Sequence, residues 1–210
     1  MDSSKDLTFS IARPFGPSIG KFDIPDDLCD KLNQMVDDPA LAKECFVKWS
    51  DNLVGEVSSE LLIKPDVCMS LGLTDFLARC TQAYINKSVD MTITKFDLLQ
   101  CWIVRQYSGE YNPTHWHTGH ISGAGWLKVP DGMTSGGVKT ARFDGMITFT
   151  HGSRHFLADS IHKVEPKEGF MTIFPNYLMH HVYPFNVPGE RRSIAFNARV
   201  DDEIYNVYGH

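Results

Sequence analysis

His115-Trp116-His117 in mid-chain and His180-His181 further on are the residues best suited to chemistry. Histidines two apart share one face of an extended strand, because side chains alternate with period two. A third imidazole delivered by a distant strand completes a facial metal set and leaves coordination positions open for substrate and dioxygen. Neutral imidazole suits iron, zinc, copper or nickel, so the pair alone names no metal. Arg191 and Ser193 add a second signal, since a guanidinium fork and a hydroxyl on one strand face hold a carboxylate. Each motif alone has a commoner explanation: hydrogen-bonded core or surface histidines in one case, a surface salt bridge in the other. Their order along the chain favours an iron enzyme with a small diacid cosubstrate.

These side chains need strands to position them, and the second half of the sequence supplies candidates. Leu98 to Tyr107, Ile121 to Val129, Met146 to His151, Phe170 to Phe174 and Arg191 to Val200 are rich in β-branched and aromatic residues. Gly, Pro and Asn clusters separate them, Asn112-Pro113 and Pro130-Asp131-Gly132 among them. On the last strand Arg191, Ser193, Ala195, Asn197 and Arg199 share one face, and Arg192, Ile194, Phe196, Ala198 and Val200 the other. His180 follows the apolar run Phe170 to Phe174, and its neighbour His181 faces the opposite way in a regular strand.

Helices come first. Pro25-Asp26 leads into a stripe of Leu28, Cys29, Leu32, Met35 and Val36, with Pro39 as a stop. Thr74 caps a second helix with the stripe Phe76, Leu77, Cys80 and Tyr84. Leu61-Leu62-Ile63 reads equally as a strand or a helix end. Asp131 to Lys139, with Gly132, Gly136 and Gly137, reads as a loop, either an ordinary exposed connection or a lid. The expectation is a mainly β chain with N-terminal helices (α+β), a sandwich or barrel with helices packed outside it. Residues 1–210 form one domain, with a helical or mixed part over 1–95 packing on a β core over 96–200.

At 210 residues the chain buries roughly 70% of its unfolded surface, so it needs no disulfide or metal staple to fold. Twenty basic against 26 acidic residues argues against a surface built for nucleic-acid phosphates. Cys29, Cys45, Cys68, Cys80 and Cys101 are odd in number and scattered, which fits reduced thiols in a cytoplasmic protein. Met1 to Asp6 lacks the apolar core of a signal peptide, and no apolar run is long enough to cross a bilayer. Nothing in the sequence defines an oligomeric state.

The stretch from Trp102 to Asn197 resembles the 2-oxoglutarate/Fe(II)-dependent oxygenase superfamily. More narrowly, it is similar to a branch of short bacterial and phage proteins with an H-x-H…H motif. The matching pieces are Trp102…Tyr107-x-Gly109, Asn112, His115-x-His117, Ser122-Gly123, Val129-Pro130, Gly145-x-Ile147-x-Phe149, Pro166-x-x-Gly169, Phe174-Pro175, His180-x-Val182-x-Pro184 and Glu190-Arg191-x-Ser193…Phe196-Asn197. They run in order over nearly half the chain, which is more specific than any single piece. The resemblance implies a double-stranded β-helix, the cupin-like jelly roll, with Fe(II) at one mouth and 2-oxoglutarate inside. It makes His115, His117 and His180 the metal ligands and Arg191 the clamp for the distal carboxylate of 2-oxoglutarate, assisted by Ser193, with Tyr107 as a further hydroxyl donor. The implied reaction is hydroxylation of a small-molecule or peptidyl substrate with release of succinate and carbon dioxide.

One departure stands out. Most of the superfamily carries a carboxylate two residues after the first histidine, and His117 holds that position here. Three neutral imidazoles leave the metal one positive charge more than two imidazoles and a carboxylate would. Asp144 is an alternative third ligand, and His120 a weaker one because its spacing from His117 is odd. His151 reads as a core or rim histidine more often than a ligand, His155 and His162 as exposed, and His210 as terminal. Trp116 and Trp126 read as packing residues, and Arg105 and Lys128 as solvated charges or contacts to an anionic substrate. Two other functions remain open: a three-histidine cupin-like dioxygenase without 2-oxoglutarate, and a jelly-roll binding module without catalysis. A peptidyl side chain, a free amino acid, a nucleobase and a small metabolite all suit the site.

Overall fold

The computed structural model describes residues 16–49, 55–133 and 143–207. Two antiparallel sheets face each other. The larger has seven strands, in the order β1 (Gly20–Asp23), β9 (Phe170–Pro175), β6 (Ile121–Lys128), β11 (Arg191–Val200), β4 (Phe96–Gln106), β3 (Ser59–Ile63) and β2 (Phe46–Lys48). The smaller has four, in the order β5 (Asn112–His115), β10 (Met179–Val182), β7 (Ile147–Thr150) and β8 (Ile161–Val164). This is the expected jelly roll. The larger sheet also recruits β1, β2 and β3 from the N-terminal part of the chain.

Two cores follow from the alternation of side chains. Ile103, Ile173, Ile194, Phe196, Ala198 and Val200 point outward from the large sheet into one cluster with the helices. Helix α1 (Asp26–Asp37) contributes Leu28, Leu32, Met35 and Val36, and α4 (Leu73–Val89) contributes Phe76, Leu77, Cys80 and Tyr84. Both stripes recur at the three- and four-residue spacing of a helix that buries one face. Between the sheets lies a smaller cluster of Trp126, Ile147, Phe149, Val164, Phe174, Leu178 and Val182. β11 is therefore buried on both faces, with Arg191 on the inner face and Arg192 on the helix side.

Arg192 is fully buried and joins the layers. Its guanidinium meets Glu190 at 2.8 Å, the Asn33 side chain at 3.0 Å and Asp37 on α1. Arg105 grips the same Glu190 through two bonds of 2.8 and 3.0 Å, so it is a structural partner rather than a contact for an anionic substrate. Lys128 is exposed at the end of β6.

Several local expectations are corrected. Pro39 stops α1 but is also the first residue of α2 (Pro39–Cys45), capped by the Asp38 side chain accepting from the Ala40 and Leu41 N–H groups. A proline lacks only a donor that the first helical turn leaves unused. Thr74 caps nothing: α4 starts at Leu73 behind Gly72, whose φ of 70° is easy only for glycine. Leu61-Leu62-Ile63 is strand β3, and it leads into the short helix α3 (Pro65–Ser70). Asn112-Pro113 is part of β5, where an edge position tolerates the missing donor. The polar connection before His162 turns into β8 at Ile161. All five cysteines are buried and free. The loop read over Asp131 to Lys139 lies largely outside the described residues, as does His210.

Candidate functional site

The three histidines converge where β5 ends. His115 and His180 are direct partners across β5 and β10. His117 lies two residues past the strand, in a turn held from both directions. Its N–H donates to the Asn176 carbonyl at 3.0 Å, and the Asn176 side chain donates back to the His117 carbonyl at 3.1 Å. One ligand atom from each of the three rings falls within 4.8 Å of the others. His115 Nδ1 sits 2.7 Å from the Pro113 carbonyl and His180 Nδ1 2.8 Å from the Leu178 carbonyl. Those bonds fix the proton on Nδ1 and leave the Nε2 lone pairs free to coordinate. The Nε2 atoms of His117 and His180 are 3.2 Å apart. Two nitrogens ~2.1 Å from one cation and near a right angle would stand about 3 Å apart, so the spacing fits a shared metal.

The surroundings keep these rings neutral. Burial, reinforced by the neighbouring imidazoles, pushes His117 down to about 2 and His180 to about 4, and burial also lowers His115. The rings of Phe174 and Phe149 lie 4.9 and 5.8 Å from His180, and Trp102 meets His117 edge-on at 5.8 Å. Among the described residues no carboxylate joins the cluster. Asp144 is buried but outside it. His120 sits against the Val200 carbonyl at 3.1 Å and stacks on Tyr205. His181 turns away to meet Tyr183, and His155 and His162 are exposed. His151, expected in the core or at the rim, is exposed because β7 ends one residue earlier. Trp116 is 65% exposed beside the ligands rather than packed, whereas Trp126 is wholly buried.

Arg191 opens the inner face of β11. It is 3% exposed, and its Nη1 donates to Gln106 Oε1 at 3.1 Å and Ser193 Oγ at 3.4 Å. Among the described residues its Nε has no partner, and no carboxylate stands within ion-pair distance. Burial alone pulls the guanidinium down to about 9. Trp126 lies beside it, ring centroid 5.9 Å from the guanidinium carbon, and the indole Nε1 is also buried without a partner. Two orphaned donors side by side suit a carboxylate, because an unmatched buried donor is costly. Between this end and the histidines the facing pair Ala195 and Ala124 leaves room for a slender chain.

Gln106 escaped sequence reasoning as a site residue, and Trp126 entered it as a packing residue that could also line the pocket. The signal for Gln106 was register, since it is the direct partner of Arg191 across β4 and β11. Tyr107 lies just past β4, with the Arg105 guanidinium 6.0 Å from its ring, so Gln106 is the residue of this segment that hydrogen-bonds Arg191.

Residues 100–197 match the family described as "Putative 2OG-Fe(II) oxygenase". Over this stretch, just under half of its length, the chain is similar to 2-oxoglutarate/Fe(II)-dependent oxygenases. The three-histidine cluster fits Fe(II), and the unpaired donors of Arg191 and Trp126 fit a carboxylate of 2-oxoglutarate. The fold of the chain is similar to that of a prolyl-4-hydroxylase from Pseudomonas putida, at 19% identity and a TM-score of 0.56 over 85% of this chain and 91% of that one. A viral collagen prolyl hydroxylase from Paramecium Bursaria Chlorella virus-1, in complex with 2OG, gives 16% identity and a TM-score of 0.54 over 86% and 94%. HygX from Streptomyces hygroscopicus, with nickel and 2-oxoglutarate bound, gives 12% and 0.54 over 87% and 81%. At these identities the likeness concerns the fold. No curated protein matches the chain in sequence.

Proposed function

We propose that His115, His117 and His180 hold Fe(II) through Nε2, and that Arg191 binds the distal carboxylate of 2-oxoglutarate. The observation that carries this is the contrast on β11: Arg192 is neutralised by Glu190 and Asp37, whereas the buried Arg191 has no acidic partner among the described residues. A dicarboxylate supplies the missing charge. Ser193, Gln106 and the Trp126 Nε1–H complete the carboxylate pocket, and Tyr107 stands as a further candidate donor. In a cupin-like dioxygenase that binds its substrate directly, the same cation would have to meet a carboxylate of the substrate itself.

Bound together, Fe(II) and 2-oxoglutarate would react with dioxygen, one oxygen atom going into succinate as carbon dioxide leaves and the other becoming available to hydroxylate a substrate C–H bond. The chain's own residues orient and protect. Carbonyls at Pro113 and Leu178 fix two ligand tautomers. Phe149, Phe174 and Trp102 exclude water around the histidines. Three neutral imidazoles leave the metal's charge undiminished, which favours anionic ligands. The outcome is hydroxylation of a small-molecule or peptidyl substrate entering past Trp116, which is 65% exposed next to His115 and His117 in the chain. No helix of the described residues is long and apolar enough to cross a membrane. Five buried free thiols support a reducing, cytoplasmic setting.

The test is an anaerobic titration of apo-protein with Fe(II) and then 2-oxoglutarate, followed by the visible charge-transfer band of the chelate. The band appears in the wild type and is lost in Arg191→Ala and His180→Ala. Iron binding without a band would favour the cupin-like dioxygenase, and no iron binding would leave the binding module.

A further inference from the structure

Neither end of this pocket uses the one buried polar pair at the level of the histidines. Asn197 is 3% exposed and Ser122 fully buried. They face each other across β11 and β6, and Ser122 Oγ donates to Asn197 Oδ1 at 2.8 Å. Asn197 shares the inner face with Arg191, Ser193 and Ala195, since the register of β11 is regular from Ser193 to Asn197 against both neighbouring strands. Its level is set by two contacts. Ser122 is the direct partner of Phe174, whose ring lies 4.9 Å from His180. Ala195, one inner position earlier, is the partner of Trp102, which touches His117. Arg191 lies three inner positions away, roughly 20 Å along the strand between backbones at ~3.3 Å per residue. The long guanidinium side chain takes up part of that span.

We propose that Asn197, aligned by Ser122, is a positioning residue for the metal-chelating end of 2-oxoglutarate, donating a hydrogen bond from Nδ2 to its keto-acid oxygens. The proposal rests on the iron and 2-oxoglutarate reading above. The Ser122 hydroxyl occupies the carboxamide oxygen, so the NH2 group is the part that addresses the space between the sheets. Among the described residues the side-chain hydrogen bond seen for Asn197 is the one its Oδ1 accepts from Ser122. The rest of this level is mostly carbon: Ala195, Ala124, Phe174 and the Trp102 ring. Gln100, opposite Asn197 on β4, is only half-buried. With three neutral ligands, no carboxylate on the metal repels or orients the chelating end. A neutral donor opposite the histidines therefore selects one way for the keto acid to lie. A buried amide suits this task because it adds direction without adding charge.

The experiment compares wild type, Asn197→Ala, Asn197→Asp and Ser122→Ala, each loaded anaerobically with Fe(II) and titrated with 2-oxoglutarate. Iron affinity is expected to be unchanged in all four. Loss of a hydrogen bond to a charged group raises the 2-oxoglutarate dissociation constant about tenfold in Asn197→Ala. The charge-transfer band moves to higher energy, because the donor no longer stabilises the keto acid's acceptor orbital. Asn197→Asp preserves shape and the bond from Ser122, but sets a carboxylate against a carboxylate and weakens binding further. Ser122→Ala falls between wild type and Asn197→Ala. A purely structural role would leave the band energy alone. Wild-type affinity and band position in both Asn197 variants would overturn the proposal. If Asn197→Ala does not fold, the isosteric Asp variant decides. Absence of a band in the wild type itself would instead sink the iron and 2-oxoglutarate reading, and the proposal with it.

Discussion

Replacing Arg191 by methionine should make the ligand-free protein more stable while removing its response to 2-oxoglutarate. Burial lowers the guanidinium from 12.5 to about 9, which corresponds to an unfavourable contribution on the order of 5 kcal/mol. The sign follows directly. The folded state binds this proton less tightly than the unfolded state, so the penalty is full below about 9 and fades as pH rises towards 12.5. Methionine removes the penalty and keeps most of the volume. It also strands Gln106 Oε1 and Ser193 Oγ, at about 1 kcal/mol each. The net gain is roughly 2–3 kcal/mol, which for a domain of this size raises the melting temperature by roughly 4–12 °C. Wild type, in contrast, gains about 2.7 kcal/mol from cosubstrate at a hundredfold excess over its dissociation constant. Thermal melts at pH 7.5, with and without 2-oxoglutarate, measure both effects. A ligand-free variant less stable than wild type, or one still stabilised by 2-oxoglutarate, would refute the reasoning. Either result would mean that Arg191 is a structural residue with a partner of its own.

Two other substitutions separate structure from binding. Trp126→Phe keeps one aromatic ring and removes the indole donor, so it should weaken 2-oxoglutarate by about tenfold, while melts of the ligand-free protein on the same sample report the separate loss of core packing. Glu190→Gln should cost about 3–5 kcal/mol in denaturant unfolding at pH 7, because it leaves Arg105 and the buried Arg192 without their shared carboxylate. The pH dependence shares that origin: burial pushes the Glu190 carboxyl up, but Arg105 and Arg192 together hold it down at about 2. Its contribution is therefore complete above 4.5 and lost as pH falls from there towards 2, and an unchanged wild-type to Glu190→Gln difference between pH 7 and pH 3 would contradict it.

The strands that carry the site were legible because each is a long, strongly patterned run. β11 has its sequence-based bounds, and β4, β6 and β9 differ from theirs by one or two residues. Most of the short elements were not, β7 within the run Met146 to His151 being the exception. β5 is four residues with a proline in it, and β1, β2, β8 and β10 are three or four residues each. Strands that short carry too little alternation to stand out, and the ladders of their neighbours define them. The same limit explains Thr74. A threonine ahead of an apolar stripe is a cap by composition, but Gly72 can take the left-handed turn and start the helix two residues earlier. In the site, the convergence of His115, His117 and His180 is the geometry that the motif order implied. Gln106 and Trp126 depend on which strand lies beside β11, which is a property of the sheet and absent from any one segment.

Arg191 and Arg192 show why the motif could be read only so far. As a dipeptide they are chemically equivalent. In a strand they face opposite layers, and the layers decide their roles. On the helix side, Glu190, Asp37 and Asn33 surround Arg192, so its charge is spent on fixing α1 to the sheet. On the inner side, Trp126, Ser193 and Gln106 surround Arg191 with groups that shape its position but cannot neutralise it. A one-residue slip of β11 would exchange the two. It would turn Arg191 towards α1 and Arg192 to the inner face, away from Asp37 and Asn33. Glu190 guards against that slip, because the same carboxylate binds Arg192 on its own strand and Arg105 on the next. The ion network on the outside of the sheet is thus what keeps a free guanidinium on the inside, facing the histidines.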